Sequence, residues 1–249
     1  MLRGIYTAAS GMTTETVRTD TTANNLANAS TTGYKKDVAV DKAFSGLLLQ
    51  RLNDGPDATI GTLGVGAAVD QISTEHAPGS LRSTGNPLDA AIDGRGFFTV
   101  QTPNGLRYTR NGSFTRSAAD QLVTSEGYPV MGQNGPISLR GAEGGTISIS
   151  QDGRLSIDEV ETDQLRLTDF VDPSRLIKEG SNFYAAGDAV QEKNSTVRIA
   201  KGSLELSNVN VIAEMVNLIA GYRSYEINSK AVLAQDQMLD KAVNEVGRV

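Results

Sequence analysis

The chain has 249 residues, 39% of them hydrophobic and 21% charged, which is enough apolar content for a folded core and too much for wholesale disorder. It has no cysteine and a single histidine, His76, so disulfide scaffolds, thiolate or multi-histidine metal centres and cysteine nucleophiles are excluded. A net charge of −6 disfavours broad electrostatic attraction to nucleic acid or anionic lipid.

The first residues are too polar and too rich in threonine for the apolar core of a cleaved leader, so any export is expected to proceed without signal cleavage. The purest apolar run, Leu47–Leu48–Leu49, falls far short of the roughly 20 residues a membrane helix needs, and no membrane insertion is expected. Residues 1–33 carry small or apolar side chains in steps of three and four: Leu2, Ile5, Ala9, Met12, Ala23 and Leu26. That spacing predicts a helix with a seam along Ile5, Met12 and Leu26. Thr16 and Thr19 interrupt it, and threonine restricts its own χ1, so the helix needs something packed against it.

Residues 34–85 read as an extended connector, with a turn at Gly55–Pro56–Asp57 and glycines at 61, 64 and 66. Residues 86–204 read as a β domain. Phe97–Val100 and Leu106–Thr109 flank the turn Pro103–Asn104–Gly105, and Asn111–Gly112 suits a second tight turn before Ser113–Thr115. Thr146–Ser150, Leu155–Ile157, Leu165–Thr168 and Val197–Ile199 are further strands, with Asp152–Gly153 as a turn. Many short strands separated by glycine-rich turns predict an antiparallel barrel or sandwich.

Residues 205–249 carry the strongest helical pattern. One stripe runs Val211, Met215, Leu218, Tyr222, Tyr225, Val232, Leu239, Val243 and Val246, and Ser207 or Asn208 is placed to cap the start. Some 38 helical residues would extend about 57 Å, too long for one small globular body. A second stripe, Ile212, Val216, Ile219, Ile227, Ala231, Ala234 and Met238, widens the apolar face beyond what one partner helix buries. The expected fold is therefore α+β. Terminal helices pair as a coiled-coil-like stem on a central antiparallel β barrel or sandwich, and part of the C-terminal helix is left to meet other chains.

Chemistry is thinly represented. The clusters Gly61–Gly66 and Gly94–Gly96 lack the strand–loop–helix setting of a phosphate loop. His76, before Ala77–Pro78–Gly79, has no nucleophile elbow to serve and reads as a surface histidine. Asp152, Asp158, Glu159, Glu161 and Asp163 could in principle supply a glycosidase pair, but no spacing selects two of them and they read as a solvated acidic loop. Lys35–Lys36 is too short for a nucleic-acid patch. No catalytic, metal or cofactor residue is assigned.

The strings themselves resemble a known family. Asn24–Asn25–Leu26–Ala27–Asn28–Ala29–Ser30–Thr31–Thr32–Gly33–Tyr34–Lys35 is similar to the N-terminal signature of bacterial flagellar rod and hook proteins, as are Ile5–Ala8 and Gly11–Met12. Ser207–Val211, Glu214–Val216, Tyr225–Ala231 and Asp236–Leu239 resemble the C-terminal signature, and Gly94–Phe98 and Tyr108–Phe114 the β domain. Within the family the length and Gly85–Ile92 lean toward the proximal rod subunit, and Tyr225–Ala231 toward the distal one; the proximal type is the expectation. The resemblance implies a structural rod subunit of the basal body. It would leave the cytoplasm unfolded through the flagellar type III export apparatus, without a cleaved signal, and assemble with copies of itself and with other rod and hook subunits. Asn24, Asn25 and Asn28 would be polar contacts that fix register. The alternatives are a hook-type or adhesive filament subunit and, in another class, a β-fold glycosidase.

Overall fold

The computed structural model describes residues 2–44, 47–50, 59–140, 146–180, 182–187, 191–194 and 197–244. Its contacts divide the chain into two compact units, one drawn from residues 1–26, 37–73 and 210–249, the other from 27–36 and 74–209.

The first unit holds two helices, α1 (Leu2–Ala27) and α2 (Val211–Asn244), and four strands: β1 (Asp37–Ala43), β2 (Leu47–Gln50), β3 (Thr59–Leu63) and β4 (Ala67–Thr74). α1 accommodates its threonines by turning their hydroxyls inward. Thr7, Thr13, Thr14, Thr16 and Thr21 each donate to the carbonyl four residues earlier, which satisfies the hydroxyl at some expense to helix stability. α2 runs 34 residues, about 51 Å at 1.5 Å per residue. Its cap is Asn210, a little later than the expected Ser207 or Asn208: the Asn210 Oδ1 accepts the Ala213 N–H at 3.1 Å. Asn208 is unavailable for that task, because its side chain is engaged by the Lys36 N–H and the Glu75 carbonyl. The stripe position Val246 lies outside the described residues.

Residues 34–85, expected as an extended connector, contain paired strands instead: β1 with β4, and β2 antiparallel to β3. The β1–β4 ribbon rests on α1. The Thr14 hydroxyl reaches the Ala67 carbonyl at 3.2 Å, and the Asn25 side chain bonds both the N–H and the carbonyl of Asp37 at 2.9 and 2.8 Å. The turn at residues 55–57 lies outside the described residues.

The second unit is the antiparallel β body. β5 (Leu81–Ser83), β6 (Ala90–Asp93), β7 (Phe97–Thr102) and β8 (Gly105–Thr109) lead into shorter strands. The main sheet has six strands in the order 177–179, 183–185, β8, β7, 167–170, 192–194. Its remaining pairings are short ribbons and a three-stranded sheet, and no closed barrel forms among the described strands. β7 is covered on both faces, which is why Phe97–Val100 is an unbroken apolar-rich run rather than an alternating one. Successive side chains point to opposite sides. Phe98 and Val100 enter one core with Phe114, Leu122, Ile137 and Leu155, while Phe97 enters a second with Tyr108, Phe170, Leu176 and Tyr184. Asn111–Gly112 is not the tight positive-φ turn its sequence suggests. A Cβ at Gly112 would lie 1.6 Å from the Ala90 carbonyl oxygen, so the glycine permits a close backbone approach.

Candidate assembly surface

The two helices run antiparallel, and their seam is set by glycines and amides. A Cβ placed on Gly4 would fall 3.0 Å from the Gln235 side chain, one on Gly11 2.9 Å from that of Asn228, and one on Gly221 2.9 Å from the Thr19 hydroxyl. Gly4 and Gly11 are seven apart, as are Gly221, Asn228 and Gln235, so heptad spacing holds the seam. Small residues bring the backbones close, and polar side chains lie over them. Covered positions on α2 follow the same period: Glu214, Leu218, Gly221, Asn228, Val232, Gln235 and Leu239.

That phase differs from the first apolar stripe. Leu218, Val232 and Leu239 are half-buried, but Val211, Met215, Tyr222 and Tyr225, expected in the same seam, are exposed. The reason is steric: tyrosine and methionine would hold the helices apart where glycine lets them approach. On α1, Ile5, Met12 and Leu26 are half-buried. Asn25 is buried, and its two bonds to Asp37 anchor the ribbon; Asn24 is exposed. Asn28, in the second unit, is half-buried and accepts a bond from the Thr31 hydroxyl.

The second stripe is open to solvent along its length. Ile212 is 76% exposed, Ile227 67%, Val216 60% and Ile219 54%, and Met238 is exposed as well. Large aliphatic side chains repeated along about 40 Å of helix are unusual on a free surface.

Sequence reasoning missed a buried ionic cluster in the second unit. The Glu205 carboxylate accepts the Lys35 Nζ at 2.5 Å and the Gly79 N–H at 2.8 Å through one oxygen, and the Arg110 guanidinium at 3.2 Å through the other. Lys35 and Glu205 side chains are fully buried and that of Arg110 is 4% exposed. Burial draws the Lys35 ammonium below its ordinary range, and Glu205 opposes the shift. Nothing in Lys35–Lys36 signals this, since a lysine pair ordinarily lies in water. His76 is likewise not a surface group. Its ring packs edge-on against Phe97 and Tyr184 at 5.6 and 5.2 Å. Burial first, then the charges of Lys35 and Arg110, lower its pKa to about 4, so at neutral pH it is an uncharged aromatic.

Elsewhere, carboxylates of the acidic loop are engaged by neighbouring groups. Glu161 is held by Arg154 at 2.9 Å, and Asp158 accepts the Thr146 N–H. No helix is long and apolar enough to cross a membrane, and no group of metal-ligating side chains occurs among the described residues.

Comparison with known proteins bears on all three zones. Residues 5–35 match a family model described as flagella basal body rod protein, residues 91–157 one described as the flagellar hook protein FlgE/F/G D1 domain, and residues 200–245 one described as flagellar basal body rod FlgEFG protein C-terminal. Flagellar basal-body rod protein FlgG of Borreliella burgdorferi is 37% identical over 98% of this chain and 98% of its own length. The protein of the same name from Buchnera aphidicola of Schizaphis graminum is 36% identical over 97% and 98%, and that from Bacillus subtilis 34% identical over 98% and 99%.

Proposed function

Because this chain belongs to the flagellar basal-body rod protein family, we propose that the open apolar face of α2 is the surface through which it is built into the rod. The protein is a structural subunit of the bacterial flagellar rod, located in the basal body. Family membership brings assembly with other rod and hook subunits.

The observation that carries the proposal is the exposed stripe Ile212, Val216, Ile219, Ile227 and Met238. Each is about half or more exposed, so covering the five would contribute on the order of 5 kcal/mol per subunit. Val211, Met215, Tyr222 and Tyr225 border it and widen the contact. Ile5, Met12, Leu26, Leu218 and Leu239 hold the helix pair together and support that face from behind. Asn25 fixes the ribbon to α1, with Asn24 and Asn28 as polar contacts at the same end. Repetition of one face over many copies makes a continuous wall of helices able to transmit torque. The subunit does this by contact alone, without catalysis. Before assembly it passes the flagellar type III export apparatus unfolded, and the threonine-rich α1, which gains little stability from its own sequence, suits that passage. The proximal segment of the rod is its place on the sequence reading, and labelled electron microscopy of isolated basal bodies tests that.

The double substitution Val216→Asp/Ile219→Asp changes exposed positions and leaves the seam intact. It is expected to preserve the circular dichroism and thermal transition of the free subunit while abolishing motility and incorporation into basal bodies. Normal swimming by this variant would refute the proposal. Leu218→Asp is a poorer probe, because Leu218 is half-buried and its loss disturbs the helix pair itself.

A further inference from the structure

Residues 28–36 form no strand, yet they are firmly attached to the β body. The Gly33 N–H donates to the Glu205 carbonyl at 2.8 Å, the Lys36 N–H to the Asn208 Oδ1 at 2.8 Å, and the Thr32 hydroxyl to the Asn111 Oδ1 at 2.9 Å. Lys178 reaches over the Tyr34 ring at 3.9 Å and donates to the Lys35 carbonyl at 2.8 Å. Neither hydrophobic cluster of the second unit includes a residue of this segment, although Tyr34 is itself fully buried. The segment's buried anchors are the Tyr34 side chain and the ionic cluster, where Lys35 also donates to the Ala77 carbonyl at 2.7 Å. Asn208, just ahead of α2, donates in turn to the carbonyls of Glu75 and Ala77. The chain leaving α1, the chain approaching α2 and residues 75–79 are thus gathered around Glu205.

The charges in this pocket do not cancel. Lys35 and Arg110 bring two cations, and among the described residues Glu205 is the one carboxylate bonded to both. We propose that Glu205 is a charge latch: the sheet forms first, residues 28–36 then close onto it as a strap, and closure requires the ionised carboxylate between the two cations. The latch belongs to the second unit and does not depend on what α2 binds.

The proposal makes an asymmetric prediction. Neutralising Glu205 leaves two desolvated cations facing each other, whereas removing Lys35 leaves a balanced Arg110–Glu205 pair. Hydrogen exchange on the full chain reads the strap at the amides of Gly33 and Lys36, and the sheet at those of β7 and β8. Glu205→Gln is expected to speed strap exchange by more than about tenfold while β7 and β8 keep their protection. Lys35→Met gives up the bonds to Glu205 and Ala77 and is expected to speed strap exchange clearly less than Glu205→Gln does. The double variant is expected to exchange more slowly than Glu205→Gln alone, because the second cation has gone. The proposal is overturned if Glu205→Gln leaves Gly33 and Lys36 protected, if it loosens β7 and β8 equally, or if Lys35→Met is as damaging as Glu205→Gln.

Discussion

His76 shows how a single side chain couples packing to pH. Its ring lies against Phe97 and Tyr184, and the nearby charges of Lys35, Arg110 and Lys178 all disfavour a proton on it. Held near pKa 4 in the native chain and near 6.5 when free, it binds fewer protons folded than unfolded. Its contribution to native stability is therefore complete above about pH 6.5 and declines as the pH falls toward 4, by roughly 3 kcal/mol at most. His76→Phe keeps an aromatic ring in place and removes the proton site. Denaturant titrations between pH 4 and 7 are expected to show the variant gaining on the parent as the pH drops. Parallel pH profiles for the two proteins would contradict the account.

Between elements, a few polar side chains set geometry that apolar periodicity does not reveal. Asn25 ties β1 to α1 by bonding both backbone groups of Asp37. Asn25→Ala is expected to cost about 1 kcal/mol or somewhat more, because two part-buried hydrogen bonds to the Asp37 backbone are lost. The loss should appear as faster amide exchange along β1, with β7 and β8 unchanged; equal protection of β1 in variant and parent would contradict it. The helix seam follows the same logic. A period of seven was legible in the sequence, and so were both terminal helices and seven of the β body's strands, while its shorter strands were not. The phase of the pairing was not legible, because apolar residues advertise burial and the residues that let two helices touch are Gly4, Gly11 and Gly221 under Thr19, Asn228 and Gln235. Leu218, Val232 and Leu239 sit where both readings agree. The Glu205 cluster was hidden for a related reason: its members are 75 and more residues apart in sequence, and each taken singly resembles a surface charge.

At the level of the whole molecule, the amphipathic pattern of α2 divides into a narrow seam satisfied within the chain and a broad face that is not. The family models match residues 5–35, 91–157 and 200–245, so the residues assigned to the open face lie in a segment shared with rod proteins. A subunit that kept this face permanently bare would associate indiscriminately, whereas neighbours that cover it supply order and stiffness together. The absence of cysteine offers a direct probe, since Val216→Cys introduces the one thiol in the chain. Maleimide labelling of that thiol is to be compared between the free subunit and isolated basal bodies that contain it. Rapid labelling of the free subunit and strong protection in the basal body are expected; equally rapid labelling in both would contradict the claim that neighbouring subunits cover this face.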